Sequence, residues 1–165
     1  MQPLRKILVP VDFSTHSAEA IRYAADLSRR YEANVTVAHA YQPPEYAFPE
    51  GYLLQKASDQ TARLAMLERQ LAHCEAEARA AGAVRVESKL IDGVDSAAIV
   101  RFAEETEQDL IVMGTHGRTG FKRAILGSIA EKVVRTAPCP VLTIRAGADS
   151  RKNFAAASPS APGSP

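Results

Sequence analysis

Five short apolar runs, at residues 7–11, 35–40, 84–90, 110–113 and 141–144, are separated by four stretches of helical periodicity. This alternation limits the fold more than any other property of the chain. Strands and helices in strict β-α-β-α-β-α-β-α-β succession build a parallel sheet with helices on both faces. Right-handed crossovers leave few strand orders. The expected architecture is therefore an α/β fold: a single-domain, open, five-stranded parallel sheet in the order 3-2-1-4-5.

The runs differ in ways that place them in the sheet. Ile7, Leu8, Val9, Pro10 and Val11 are apolar without interruption, as expected of a central strand buried on both faces. Residues 84–90 alternate instead, with Arg85, Glu87 and Lys89 on one side, which predicts an edge strand with one wet face. The helices show matching stripes. Ala20, Ile21, Ala24, Leu27 and Tyr31 recur at helical spacing after the cap-rich Asp12-Phe13-Ser14-Thr15. In a long second helix, over 58–81, Leu64, Leu67, Leu71, Cys74 and Ala78 form a stripe closed by Gly82. It spans only about two heptads, so it reads as a core face rather than a coiled-coil seam. The third helix, from Asp95-Ser96, turns Ile99, Phe102, Ala103 and Thr106 inward. The fourth, from near Ser128, does so with Ala130, Val133, Val134 and Ala137, and Pro138-Cys139-Pro140 ends it.

In the order 3-2-1-4-5 the connections of strands 1 and 4 depart to opposite sides. That opens a crevice at their carboxyl ends, where ligands of such folds bind. Asp12 closes strand 1 and Gly114 closes strand 4, so the two are expected to face each other there. Between Gly114 and Ser128 lie Gly117, Gly120 and Gly127, with Arg118, Lys122 and Arg123 among them. Glycines let a ligand approach the backbone, successive amides form anion nests, and a helix mouth adds unpaired N–H groups and positive dipole charge. Nucleotide phosphates suit such a loop. Ser128-x-x-Glu131 is equally a capping box, and both readings stand at this stage. The loop is not a P-loop, and no Gly-x-Gly-x-x-Gly follows strand 1.

Composition narrows the function classes. A net charge of +1 gives no reason to expect nucleic acid or an anionic membrane as partner. No apolar run approaches the ~18 residues that span a bilayer, and the amino-terminal residues lack a signal-peptide layout. The two cysteines, Cys74 and Cys139, form no Cys-x-x-Cys and read as reduced, buried, apolar residues of a cytoplasmic protein. Residues 1–146 read as one domain; residues 147–165, rich in Ala, Ser and Pro, read as a disordered tail. The segment 41–52 holds Pro43, Pro44, Pro49, Tyr46 and Phe48 and leaves strand 2 on the ligand side; a surface loop and a lid are its alternative readings.

These residues resemble the universal stress protein family. Its ATP-binding subgroup carries Gly-x2-Gly-x9-Gly-Ser/Thr, and Gly114-x2-Gly117-x9-Gly127-Ser128 has the full spacing. Residues 7–14 resemble the family's first strand, and Pro138, Cys139, Pro140, Val141 and Leu142 its last. The likeness covers about residues 3–146. It implies a Rossmann-like fold of the adenine nucleotide alpha hydrolase-like type, and binding of ATP with Mg2+ or Mn2+. By position, Pro10, Val11 and Asp12 line the adenosine, with Asp12 near the ribose or the metal. Ala40 contacts adenine, where a larger aliphatic is usual, and Met113 lies beside the base. Gly114, Thr115, His116, Gly117, Arg118, Thr119 and Gly120 wrap ribose and phosphates, and Gly127, Ser128 and Ile129 complete the phosphate site. The family dimerises through its last strand, which implies a homodimer through strand 141–145. Independently, an exposed apolar edge strand needs cover or a partner.

His16, His39, His73 and His116 lack metal-ligand spacing; His39, at a strand end, reads as a packed or hydrogen-bonded histidine. Hydrolysis of ATP needs a positioned water and stabilisation of the transferring phosphoryl group, and no base or water-positioning glutamine is identifiable. The expected function is thus an ATP-binding stress-response or regulatory protein, a dimeric switch or partner-binding module for a protein not named by the sequence, and not an enzyme. The alternatives are a slow ATPase and an interaction protein of the same fold with an empty site. A phosphoacceptor receiver built on Asp92 ranks last, since one acid, Asp12, and Arg145 stand where paired acids and a lysine are needed.

Overall fold

The computed structural model describes residues 3–42, 53–115 and 126–145. Among these residues nine elements alternate in the expected way: β1 (Lys6–Pro10), α1 (Thr15–Tyr31), β2 (Asn34–Tyr41), α2 (Leu53–Ala80), β3 (Arg85–Asp92), α3 (Asp95–Glu105), β4 (Leu110–Gly114), α4 (Ser128–Thr136) and β5 (Val141–Ile144). The strands form one sheet in the order β3-β2-β1-β4-β5, and every pairing is parallel. Residues 43–52, most of the Pro-aromatic segment, and the whole tail anticipated at 147–165 lie outside the described residues.

Successive side chains of a strand point to opposite faces, and β1 supplies both cores. Ile7 and Val9 enter one, with Ile21 and Ala24 of α1 and Leu71, Cys74 and Ala78 of α2. Leu8 enters the other, with Ile99 and Ala103 of α3 and Ala130 and Val133 of α4. Ile7, Leu8 and Val9 are fully buried; burying such a side chain contributes roughly 1.5–3 kcal/mol. The stripe read along α2 packs as expected, and Gly82 ends that helix at φ +96°, a conformation that costs glycine little. β3 is the edge strand, with Arg85, Glu87 and Lys89 exposed and Val86 and Ile91 buried.

Boundaries and two stripe members differ from the sequence reading. β1 stops at Pro10, and α2 starts at Leu53 rather than 58. Tyr31 was placed on the inward face of α1 but is 59% exposed. The inward position of that last turn belongs to Ser28, whose hydroxyl donates to Ala33 O at 2.6 Å and accepts from Val84 N at 3.2 Å. Ser28 thereby ties the end of α1 to the starts of β2 and β3. Val134 was also expected inside and is 47% exposed. The inward stripe of α4 is Ala130, Val133 and Ala137, and Val134 lies on the solvent side of it.

Adjacent positions on α4 therefore differ sharply in cost. Val133→Ala should destabilise the protein by about 2 kcal/mol, from lost transfer energy and a residual cavity. Val134→Ala should change stability by less than about 0.5 kcal/mol. Urea unfolding measures both, and equal losses would contradict this packing.

Candidate functional site

Two central strands and two helix starts converge at the carboxyl edge of the sheet. On one side β1 ends at Pro10, and Val11 continues buried, with its N–H donated to Ala38 O at 2.8 Å. Asp12 follows. Its Oδ1 accepts from Ser14 N at 3.1 Å and from Ser17 Oγ at 2.6 Å. Ser14 is the N-cap of α1 and accepts from Ser17 N. Asp12 thus forms an Asx turn that starts α1, a role the sequence reading did not assign to it. The cap-rich run 12–15 carried the signal, because Ser14 and Ser17 stand three residues apart.

Phe13, between Asp12 and the cap, has φ +64°. For a bulky residue this left-handed conformation is an outlier costing of order 1–3 kcal/mol. No sequence signal marks it, since glycine or asparagine is the usual occupant. Its ring lies 4.5 Å from that of His39, and His39 Nδ1 is 2.7 Å from Val11 O. His39 is therefore the packed, hydrogen-bonded histidine that its strand-end position suggests.

On the other side β4 ends at Gly114. A Cβ there would sit 2.7 Å from His16 Cβ and 3.1 Å from the His16 carbonyl carbon. The first turn of α1 thus abuts the end of β4, and Gly114 has a packing requirement of its own, whatever else it contacts. Thr115, buried, donates its N–H to Ile144 O at 2.8 Å and accepts from Gly127 N at 2.6 Å. The two ends of the glycine-rich loop are thereby pinned together. His116, Gly117, Arg118, Thr119 and Gly120 lie outside the described residues.

The start of α4 departs from the sequence reading in two ways. Gly127, not Ser128, is the N-cap, and among the described residues no side chain caps the helix. The capping box is therefore absent: Glu131 donates its N–H to Gly127 O and its carboxylate lies 3.8 Å from Arg135. The Gly127 amide, expected to face an anion, is taken by Thr115. The first-turn amides of Ser128, Ile129 and Ala130 have no intrahelical acceptor. Ser128 and Ile129 are exposed at this mouth. Met113, near the end of β4, belongs to the core cluster on the α3–α4 side of the sheet, and the partly buried Ala40, near the end of β2, packs against that cluster.

Among the described residues, no three His, Cys, Asp or Glu side chains are grouped to hold a metal ion. Burial pushes the Cys74 thiol up to about 11 and raises that of Cys139, so neither is an activated nucleophile. Cys139 is only partly buried, less than its sequence context suggests. A separate cleft of about 650 Å³ opens at the opposite, amino-terminal edge of the sheet, beside Arg5, Lys6, Glu104, Glu107 and Asp109. Its walls carry both signs of charge, and Asp109 is engaged by the Arg5 and Lys6 amides. It offers no concentrated anion site.

A sequence profile of the Universal stress protein family matches residues 3–145. The chain belongs to that family. A universal stress protein of Methanocaldococcus jannaschii is 33% identical over 142 residues, covering 86% of this chain and 82% of the relative. The universal stress protein UspA of Lactobacillus plantarum superposes with a TM-score of 0.74 at 27% identity, covering 88% of this chain and all of that one. A universal stress protein solved in complex with cAMP superposes with a TM-score of 0.67 at 25% identity, over 87% of this chain and 98% of its own. Among the described residues no helix is long and apolar enough to cross a membrane.

Within this family member, the contact of Gly114 with His16 predicts a stability effect. Gly114→Ala should lower the unfolding free energy by about 1–3 kcal/mol, since the added methyl overpacks against the first turn of α1. Chemical denaturation checks this, and an unchanged midpoint would contradict the close approach.

Proposed function

We propose that this universal stress protein binds ATP at the carboxyl edge of β1 and β4 and acts as a nucleotide-dependent regulatory module. The observation that carries the reading is the mouth of α4. A helix start that no described side chain caps lies directly beyond Thr115 and Gly127, which pin the ends of the glycine loop, and anions are favoured at such a position by amides and dipole together. The motif Gly114-x2-Gly117-x9-Gly127-Ser128 supports it, and so does the relative solved with cAMP.

The residues fit the ligand. Ser128, Ile129 and Ala130 would supply amides to the phosphates, and the Ser128 hydroxyl a further donor. Pro10, Val11, Ala40 and Met113 would border the adenosine. Asp12 would approach the ribose, or a Mg2+ or Mn2+ carried by the phosphates. His116 to Gly120 would cover the ligand from the loop. A bound metal would neutralise phosphate charge and fix the phosphate conformation.

The reading takes binding to occur without appreciable turnover. It further includes a cytoplasmic homodimer formed through strand 141–145. β5 is an edge strand, and Leu142 exposes apolar surface on it, which a second copy would cover.

Purified protein should release ATP on denaturation. Mg-ATP at a hundred times Kd should add ~2.7 kcal/mol of stability, or roughly 5–10 °C in Tm. Gly117→Val should abolish both effects while leaving the fold intact, because a side chain would fill the path of approach. No released nucleotide and no shift at millimolar ATP would overturn the reading.

A further inference from the structure

We propose that His39 and Phe13 are positioning residues that clamp Asp12 from both sides, so that β2 sets the geometry of the nucleotide site; the link to nucleotide rests on the ATP reading above. Asp12 has one neighbour held through its carbonyl and one held through its ring, and the same histidine holds both. His39 Nδ1 lies 2.7 Å from Val11 O. A carbonyl can only accept, so Nδ1 carries the hydrogen and donates it. The other face of the clamp is the Phe13 ring, 4.5 Å from the His39 ring at an interplanar angle of 37°. The Val11 N–H, donated to Ala38 O, completes the attachment to β2.

The backbone of Phe13 indicates that this contact is more than incidental packing. A glycine would adopt φ +64° without strain, as Gly82 and Gly93 do at their own positive φ values. Phenylalanine adopts it at a cost that the surrounding structure must offset. What the left-handed turn achieves here is to bring an aromatic ring back onto His39 while Asp12 starts α1. The carboxylate of Asp12 is then aligned by Ser14 N and Ser17 Oγ. Supporting groups of this kind orient the residue that meets a ligand. His39 and Phe13 need touch no ligand to do so.

Two readouts test the clamp, one of them without nucleotide. Amide hydrogen exchange at Ser14, whose N–H is held by Asp12 Oδ1, should be about tenfold faster in Phe13→Gly and His39→Ala, while exchange at Val112 in the centre of β4 stays slow. His39→Asn, which keeps an N–H donor in reach of Val11 O but has no ring to set against Phe13, should restore part of the protection; His39→Ala should restore none. ATP affinity by titration calorimetry should fall about tenfold in Phe13→Gly, and Phe13→Gly should cause no further loss in an Asp12→Ala background, as expected of residues acting through one another. Unchanged Ser14 exchange in both single variants would overturn the clamp. Faster Ser14 exchange with wild-type ATP affinity would overturn its role in nucleotide binding. Failure of the wild-type protein to bind ATP would defeat the nucleotide reading alone, and the exchange measurements would still decide the clamp.

Discussion

The pairing of β1 with β4 holds the two halves of this protein together. Ile7 aligns with Leu110 and Leu8 with Ile111, while β2 and β3 extend the sheet on one side and β5 on the other. A parallel pair so distant in sequence needs buried side chains on both faces to offset its loop-closure entropy, and Ile7, Leu8, Ile111 and Val112 are all fully buried. The same pairing sets the carboxyl ends of two strands side by side where their crossovers part, and a crevice follows from that geometry. Fold stability and the opening at which the nucleotide is proposed to bind therefore share one cause.

The local structure around the crevice follows from a few backbone bonds. Thr115 joins Ile144 and Gly127, so β5, the end of β4 and the start of α4 are fixed relative to one another. Opposite them, Asp12, Ser14 and Ser17 start α1, and His16 in its first turn rests against Gly114. Each helix start is thus secured, and among the described residues no side chain caps the first-turn amides of α4. The left-handed Phe13 adds a strained residue beside the site, where departures from local rules are expected in natural proteins.

Much of the fold was legible because the signals were periodic. The unbroken apolar run at 7–11 marked β1 as central, and the alternation at Arg85, Glu87 and Lys89 marked β3 as an edge. Where the reading missed, three-dimensional demands overrode helical spacing. Ser28 displaced Tyr31 from the inside because a hydroxyl there serves two chain segments, and Val134 fell just off the stripe centred on Val133. At the site, the sequence located both strand ends. It did not reveal that Gly127 gives its amide to Thr115, which moves the cap one residue and dissolves the apparent Ser128–Glu131 box. Nor did it reveal the φ of Phe13 or the approach of His16, since both depend on contacts between distant segments.

Amide shift mapping during titration with Mg-ATP addresses the nucleotide site most directly. If ATP is held at the mouth of α4 across from β1, the amides of Asp12, Met113, Ser128, Ile129 and Ala130 should shift together and saturate with a single affinity. Arg5, Gln108 and Asp109, at the amino-terminal cleft, should not move. Shifts centred on that cleft, or none at the α4 mouth at saturating nucleotide, would contradict the account.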